Sequence, residues 1–509
     1  MRMHVRAPVG MRIEETEKLF GEIEDEIRRV IPPHDLDTLL DNIGLPAGGF
    51  NLAFSDSSVI GISDGEILIS LKQERETPTK TYERRLRRAL NEKFPQAVLY
   101  FQAANITNQI LNFGLPAPID VQIVGRNPAN WDVALELQRE VARVPGAVDV
   151  HVHQQAGFPE VEVDVDRSKA GQVGLTQRDI SNSLLISLSG TGQVAPNQWL
   201  SYETGVSYDI GVQTPQYRIQ SLDDLEHTPI SPPLAATTSR PGEDGAANGR
   251  PGNMQLLSNL ATFRRTWTRS IINHYNVQPV YDIFANTDQR DLGGVASDIE
   301  KILDRYKSKL PRASFFVMRG QVLTMQQSFV RLGLGLLFAI LLVYMLMVVN
   351  FQSWTDPFII LMAIPGALAG ILWMLFVTGT TLNVPSLMGA IMCIGVSTAN
   401  SILVVTFAND QRFDGKSATE AALLAGYTRI RPVIMTASAM IIGMLPMALG
   451  FGEGGEQNAP LGRAVIGGLL IATFSTLFFV PIMYTFLRRQ PPVHYEREID
   501  HEWHEGETV

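Results

Sequence analysis

A single cysteine, Cys393, occurs among the 509 residues, so no disulfide can form within the chain. Basic residues are outnumbered: 42 Lys and Arg stand against 52 Asp and Glu, a formal charge of −10, which argues against nucleic acid as a partner. The opening stretch MRMHVRAPVGMRIEETEKLF lacks the apolar core of a secretory signal peptide. There is no P-loop, and the glycine-rich FGEGGEQ (Phe451–Gln457) follows no strand, so an ATP-driven motor is unsupported. The segment HEWHEG (His501–Gly506) lacks the HExxH spacing of a zinc protease and lies in an acidic tail, read as disordered. No constellation of nucleophile, acid and base stands out; the chain reads as a non-enzyme with no cofactor or metal.

Charge is also missing from one long region. Residues 330–488 hold nearly all the long charge-free runs, whereas 1–325 read as a charged strand-and-helix protein. Five windows come close to or exceed the roughly 20 residues that cross a bilayer: Leu332–Asn350, Pro357–Gly379, Val384–Ala408, Pro432–Gly450 and Ala464–Leu487. The loop Asn409–Ile430 carries Arg412, Lys416 and Arg429, and the last run exits through Arg488 and Arg489; the opposite loop Phe451–Arg463 carries Glu453 and Glu456 against Arg463. The positive-inside rule puts the first loop and the C-terminal tail (490–509) in the cytoplasm. An odd number of spans then places 1–325 outside, which calls for a preceding crossing supplied by another segment. Gly366 and Gly370 form a GxxxG that permits close helix approach; Gly467 and Gly468 open the last span; Pro365, Pro446 and Pro481 lie within spans.

In the outer half, strands that alternate in polarity flank helices with apolar residues every three or four positions. MHVRAPV, RIEETEKLFGEIEDEIRRVI and EILISLKQ make one such group, and TYERRLRRALNEKF leads into AVLYFQAAN. PIDVQIVG, NWDVALELQREVARV and AVDVHVHQ make another; PVYDIFAN, LGGVASDIEKILDRYKSKL and ASFFVM close the series. This pattern predicts small α+β sandwiches of the split-βαβ, ferredoxin-like type. The Pro/Gly/Ala-rich stretch 233–253 reads as a disordered insertion or a loop.

One apolar run is unlike the others. IGVSTANSILVV (Ile394–Val405) carries Ser397, Thr398, Asn400 and Ser401 together. Polar groups at membrane depth must find partners, so this cluster is a candidate functional site. The alternative is that these side chains only bond across helices and Arg429 snorkels to the surface.

The motifs NFQSWTDPFIILMAIP, GVSTANSILVVTFAND, RIRPVIMTASAMIIGMLP and GEGGEQNAPLGRAVIGG, in that order, resemble the second half of resistance-nodulation-division (RND) efflux permeases of the acriflavine-resistance-like multidrug type. GLPAPIDVQIVG, FPEVEVDVDRSKAGQVGLTQRDISNSL and SLSGTGQVAPNQWL are similar to that family's outer segments. The resemblance implies a twelve-span pump of two repeats, of which this chain would supply the second outer loop and the last five spans. It implies porter subdomains at 1–113 and at 114–160 with 286–325, a docking subdomain at 161–285, and spans within 326–489. It also implies an inner-membrane homotrimer that exports hydrophobic or amphiphilic compounds on an ion gradient, with a periplasmic adaptor and an outer-membrane channel as partners. Gln193–Gln198 would reach into a neighbouring protomer, with Pro196 and Trp199 as the docking residues. The proton-relay candidates it implies are Ser397, Asn400, Arg429 and Thr436, but the family's lysine position holds Ala399 here. Coupling would be altered by that change, because carboxylates on the absent half would lose a nearby cation. A metal-exporting branch would use methionine ligands, and Met3, Met11, Met254 and Met318 are scattered without ligand spacing. A third reading is an uncoupled subunit that serves only in assembly.

Overall fold

The computed structural model describes residues 1–488 except 45–58, 60, 73, 76, 105–108, 111–113, 231–253 and 451–454. The insertion at 233–253 and the tail at 490–509, with its HEWHEG segment, therefore lie outside the described residues. The chain divides into two compact units, Met1–Gln321 and Val322–Val509, close to the boundary set by composition.

The first unit opens with β1 (Arg2–Arg6), α1 (Ile13–Val30), β2 (Leu36–Ile43), β3 (Asp64–Leu71), α2 (Thr79–Lys93) and β4 (Val98–Gln102). The strands form an antiparallel sheet in the order β2-β3-β1-β4, which is the split-βαβ arrangement. Alternation puts Met3 and Val5 of β1 and Ile67 and Ile69 of β3 on the helix side, against Phe20, Ile23 and Ile27 of α1 and Leu86 and Leu90 of α2. Strand β2 did not stand out in the sequence. It is an edge strand with exposed Asp37, and such edges trade apolar alternation for charge.

The order recurs in a second sheet built from β5 (Ile119–Val124), β6 (Ala147–Val152), β14 (Gln278–Thr287) and β15 (Phe315–Arg319), with β6 and β5 flanking β14 and β15 beside β5. Helix α3 (Asn130–Val141) packs on it, with α5 (Leu292–Tyr306) alongside α3. Between β6 and β14 the chain makes an excursion. A ribbon of β7 (Ala156–Val165) and β12 (Ala261–Arg269) leads out and back. Helix α4 (Gln177–Ser189), the hairpin of β8 (Asn197–Leu200) and β9 (Ser207–Ile210), and the short pair β10 (Pro229–Ile230) and β11 (Gln255–Leu256) lie at its far end. Strand β13 (Asn273–Tyr275) then joins the edge of β14. Residues 278–285, which the family resemblance implied for the docking subdomain, belong to the sheet: β14 pairs with β5 from Val280 to Ala285. That implied boundary cuts through a strand that the PVYDIFAN pattern marks in the sequence.

The second unit is helical: α6 (Gln321–Phe351), α7 (Thr355–Leu361), α8 (Ile364–Val377), α9 (Val384–Phe413), α10 (Ala418–Leu449), α11 (Gly455–Phe474), a π turn at Ser475–Phe479, and α12 (Val480–Leu487). Counting α7 with α8 and α11 with α12, five stretches among the described residues are long and apolar enough to cross a membrane. Helical structure overruns each apolar window at one end or at both. The loop read as Asn409–Ile430 contracts to Asp414–Ser417, because α9 continues to Phe413 and Ser417 caps α10 in a capping box with Glu420. Likewise α11 takes in Arg463, which the sequence reading placed in a loop. Hydropathy marks only the apolar part of a helix; charged turns extend it unseen. The second span pauses between Leu361 and Ile364, ahead of Pro365. The last span widens into the π turn just before Pro481, whose missing N–H leaves a carbonyl of that turn without its helical donor.

Glycines set the spacing of three helices. An added Cβ on Gly370 would lie 2.4 Å from the Gly467 carbonyl oxygen, and one on Gly467 would lie 2.1 Å from the Met374 Cβ. A Cβ on Gly366 would meet Ser475 at 2.9 Å, and one on Gly468 would meet the Cys393 sulfur at 2.5 Å. The GxxxG of α8 thus faces α11, and the backbones meet where no side chain intervenes.

Candidate functional site

Helix α9 begins at a capping box in which the Asn383 side chain accepts from the Ser386 amide, with Pro385 in the first turn. Its middle carries the polar cluster, and the structure buries it: Ser397, Thr398, Asn400 and Ser401 are all at most 6% exposed. Ser401 shares a 3.1 Å hydroxyl contact with Thr476, which projects from the π turn. The Ser397 and Thr398 hydroxyls are buried without a hydrogen-bond partner among the described residues.

Asn400 meets α10. Thr436 Oγ1 is 3.3 Å from Asn400 Oδ1, but it lies 3.0 Å from the Val433 carbonyl and 3.2 Å from that of Pro432. One hydroxyl proton cannot serve all three, so Asn400 competes with the helix backbone for it. Ala399 is exposed, on a different face from buried Asn400. Arg429, two turns before Thr436 on α10, is turned toward Phe407: its guanidinium carbon sits 5.0 Å from the ring centroid, and its Nε is buried without a hydrogen bond. The sequence therefore singled out four relay candidates, of which Asn400 and Thr436 meet directly while Ser397 and Arg429 are held apart from that contact. Ser397, Asn400 and Thr436 are not titratable. They can orient, accept or pass a proton, but any charge that moves must reside on a group elsewhere.

A second polar set was missed. Asp356, 1% exposed, has Arg488 Nε at 3.2 Å and accepts from Asn409 Nδ2 at 3.2 Å; Tyr484 donates to Asn409 Oδ1 at 2.6 Å. Arg488 also donates to Ser353 and Thr355. The signal was a lone acid before Pro357 and the first of two arginines after Leu487, each left outside when the apolar windows were drawn.

In the first unit, Pro196 and Trp199 lie where the sequence suggested a docking element. Both are exposed, and Trp199 stands across the β8–β9 hairpin from Tyr208, their ring centroids 6.0 Å apart. The methionines do not converge. Met3 is core, Met11 packs against the same core, Met318 lies opposite Val121 on β15, and Met254 is exposed. Among the described residues no group of three or more His, Cys, Asp or Glu is placed to hold a metal ion.

Comparisons with known proteins extend the motif resemblance. The chain is 28% identical over 440 residues to the cobalt-zinc-cadmium resistance protein CzcA of Cupriavidus metallidurans, which covers 86% of this chain and 40% of that protein. It is 30% identical over 334 residues to the swarming motility protein SwrC of Bacillus subtilis, covering 65% of this chain and 29% of that one. The fold matches the crystal structure of a heavy metal efflux pump with a TM-score of 0.76 at 23% identity, over 96% of this chain and 46% of that chain. The chain thus spans less than half the length of the relatives it matches. Two of these three proteins are named for metals, where the motifs had pointed to a multidrug type. The profile of the AcrB/AcrD/AcrF family matches residues 1–488, and the chain belongs to that family of RND permeases.

Proposed function

We propose that this chain acts as the second half of an inner-membrane RND efflux transporter, completed by a segment that supplies the other spans. The match of the family profile across residues 1–488 carries this reading. Residues 1–325 lie in the periplasm and the C-terminus in the cytoplasm, in keeping with the basic residues flanking Asp414–Ser417 and following α12. The two α+β sandwiches serve as porter subdomains, and the excursion between β6 and β14 serves as the docking subdomain of a trimer that meets an adaptor and an outer channel. The substrate is a hydrophobic or amphiphilic compound. A second reading, export of divalent transition-metal ions, is favoured by the relatives named for cobalt, zinc and cadmium.

Coupling in this half runs through neutral groups. With Ala399 at the family's lysine position, the Asn400–Thr436 contact is the polar feature of α9 and α10 that a carboxylate on the completing half would address. The test is transport in inverted vesicles that contain this chain and its completing half, under an imposed pH gradient, with ethidium in one arm and Co²⁺, Zn²⁺ or Cd²⁺ in the other. Wild type is expected to export one class. Asn400→Ala is expected to lower that rate about tenfold, the scale of one lost hydrogen bond. Ala399→Lys is expected to change its pH dependence. Transport of neither class would overturn the transporter reading; full transport by Asn400→Ala would overturn the role of Asn400.

A further inference from the structure

Three histidines are buried where the two α+β sandwiches of the first unit meet. His4 on β1 stacks on Tyr100 of β4, ring centroids 4.5 Å apart; Tyr100 stacks in turn on His151 of β6 at 3.8 Å. His151 and His153 both pack against Phe284 of β14, at 5.7 and 5.3 Å. The column of rings thus begins in one sheet and ends in the other. His4, His151 and His153 are at most 4% exposed. Among the described residues, both ring nitrogens of His4, Nε2 of His151 and Nδ1 of His153 have no hydrogen-bond partner. Each such nitrogen is a standing penalty that phenylalanine would not carry, although His151 Nδ1 keeps a 2.8 Å contact with the Asp149 carbonyl oxygen.

The charged surroundings do not favour an imidazolium. Arg6 reaches into the same space: its Nη1 donates to the His153 carbonyl at 2.9 Å and to that of Val152 at 3.3 Å, while its Nε engages Asp64 at 3.1 Å. Asp64 on β3 is the nearest acid, 3.7 Å from His4 Nε2, but it is already paired with Arg6. Glu66, next along the same face of β3, pairs with Arg2. From the second sheet, Asp149 is engaged by Arg87 at 2.7 Å, and Asp282 accepts from Gln122, Gln154 and Asn273. Burial pushes the pKa of His4 down, pushes that of His151 well below the usual imidazole value with Arg6 adding to the effect, and holds His153 at about 3.

We infer that the His4–Tyr100–His151 stack, with His153, is a pH-sensitive latch between the two sandwiches: it holds them together while its imidazoles are neutral and releases them when water and protons reach the rings. The sign follows from linkage. A histidine exposed by separation titrates near its free value, about 6.5, whereas the same histidine in the latch stays neutral to much lower pH. The separated state therefore binds more protons. The latch is at full strength above about pH 6.5 and weakens as pH falls below it. Each imidazole that takes up a proton on separation raises the separated-to-joined ratio by up to tenfold per pH unit.

The test uses the full chain in lipid nanodiscs, in a Cys393→Ala background. Spin labels go at Asn91, exposed on α2, and Arg139, exposed on α3, one on each sandwich. A second labelled pair, Glu22 and Asn91, lies within the first sandwich as a control. A longer Asn91–Arg139 distance is expected to grow in as pH falls from about 7.5 to about 5, while the control pair does not move. The triple variant His4→Phe/His151→Phe/His153→Phe keeps the ring packing without the titration and is expected to stay at the short distance throughout. If that variant does not fold, His151→Phe alone is read for a shallower pH response. Hydrogen exchange of segments 2–6 and 147–153 in the unlabelled protein provides the independent measure. Distances that ignore pH, an equal response in the histidine variants, or a control pair that moves in step would each overturn the latch.

Discussion

Asp356 precedes the apolar run of the second span by one residue, and its carboxylate is 1% exposed. A buried acid in a membrane helix persists only when paired, and Arg488 and Asn409 supply the partners. Asp356→Ala strands the arginine, so it is expected to cost about 3–5 kcal/mol, read as a lower thermal unfolding midpoint in detergent. Asp356→Ala combined with Arg488→Met removes both charges and should recover most of that loss. A double variant no more stable than the single one would mean that the ion pair does not carry the effect. This pair shows where sequence reading stops at the residue scale. The Ser397–Ser401 cluster was visible because polar letters interrupt an apolar run. Asp356 and Arg488 sit at the ends of such runs, where a charge reads as loop, and only the fold shows that the two ends are adjacent.

Helices α8 and α11 approach so closely that a methyl group at Gly370 would overlap the Gly467 carbonyl. Gly370→Ala is therefore expected to destabilise the helical unit by about 1–3 kcal/mol through overpacking. Gly395→Ala in α9, where an added Cβ meets nothing within 4 Å, should stay within about 0.5 kcal/mol. Thermal unfolding of the two variants side by side separates a packing contact from mere loss of a helix-weakening glycine, which would favour alanine at both sites. The GxxxG spacing was legible in the sequence as a close approach, but its partner was not, because Gly467 lies in another helix. Strands β1, β3 and β4 were legible from alternation, while β2 was hidden by edge charges. The π turn left only Pro481 as a trace, since a proline in a span announces a disturbed backbone without saying which disturbance.

At the scale of the whole molecule, the exposed β8–β9 hairpin is, under the proposed function, the element through which copies of the assembled transporter would meet. Trp199→Ala should weaken trimers by about 2 kcal/mol, roughly thirtyfold, and removal of 190–198 should weaken them further, as followed by native mass spectrometry of the complete protein. An unchanged oligomer would place the contact elsewhere. The split of the chain near residue 321 and the repeated βαβ units were both readable, because hydropathy and periodicity are local. Which β-strand closes which sheet was not, because pairing across an excursion leaves no local mark. Gln122 on β5 and Asp282 on β14, bonded at 2.8 Å, are 160 residues apart in the chain. Synthesis at about 5–20 residues per second leaves the second sheet without its central partner for on the order of ten to thirty seconds after β5 emerges. During that interval β5, whose six residues are all buried in the finished sheet and four of which are apolar, has an unpaired edge. The nested architecture that carries the hairpin outward therefore makes the nascent chain a client for holding factors, and any slowing of translation across the excursion lengthens its exposure to aggregation.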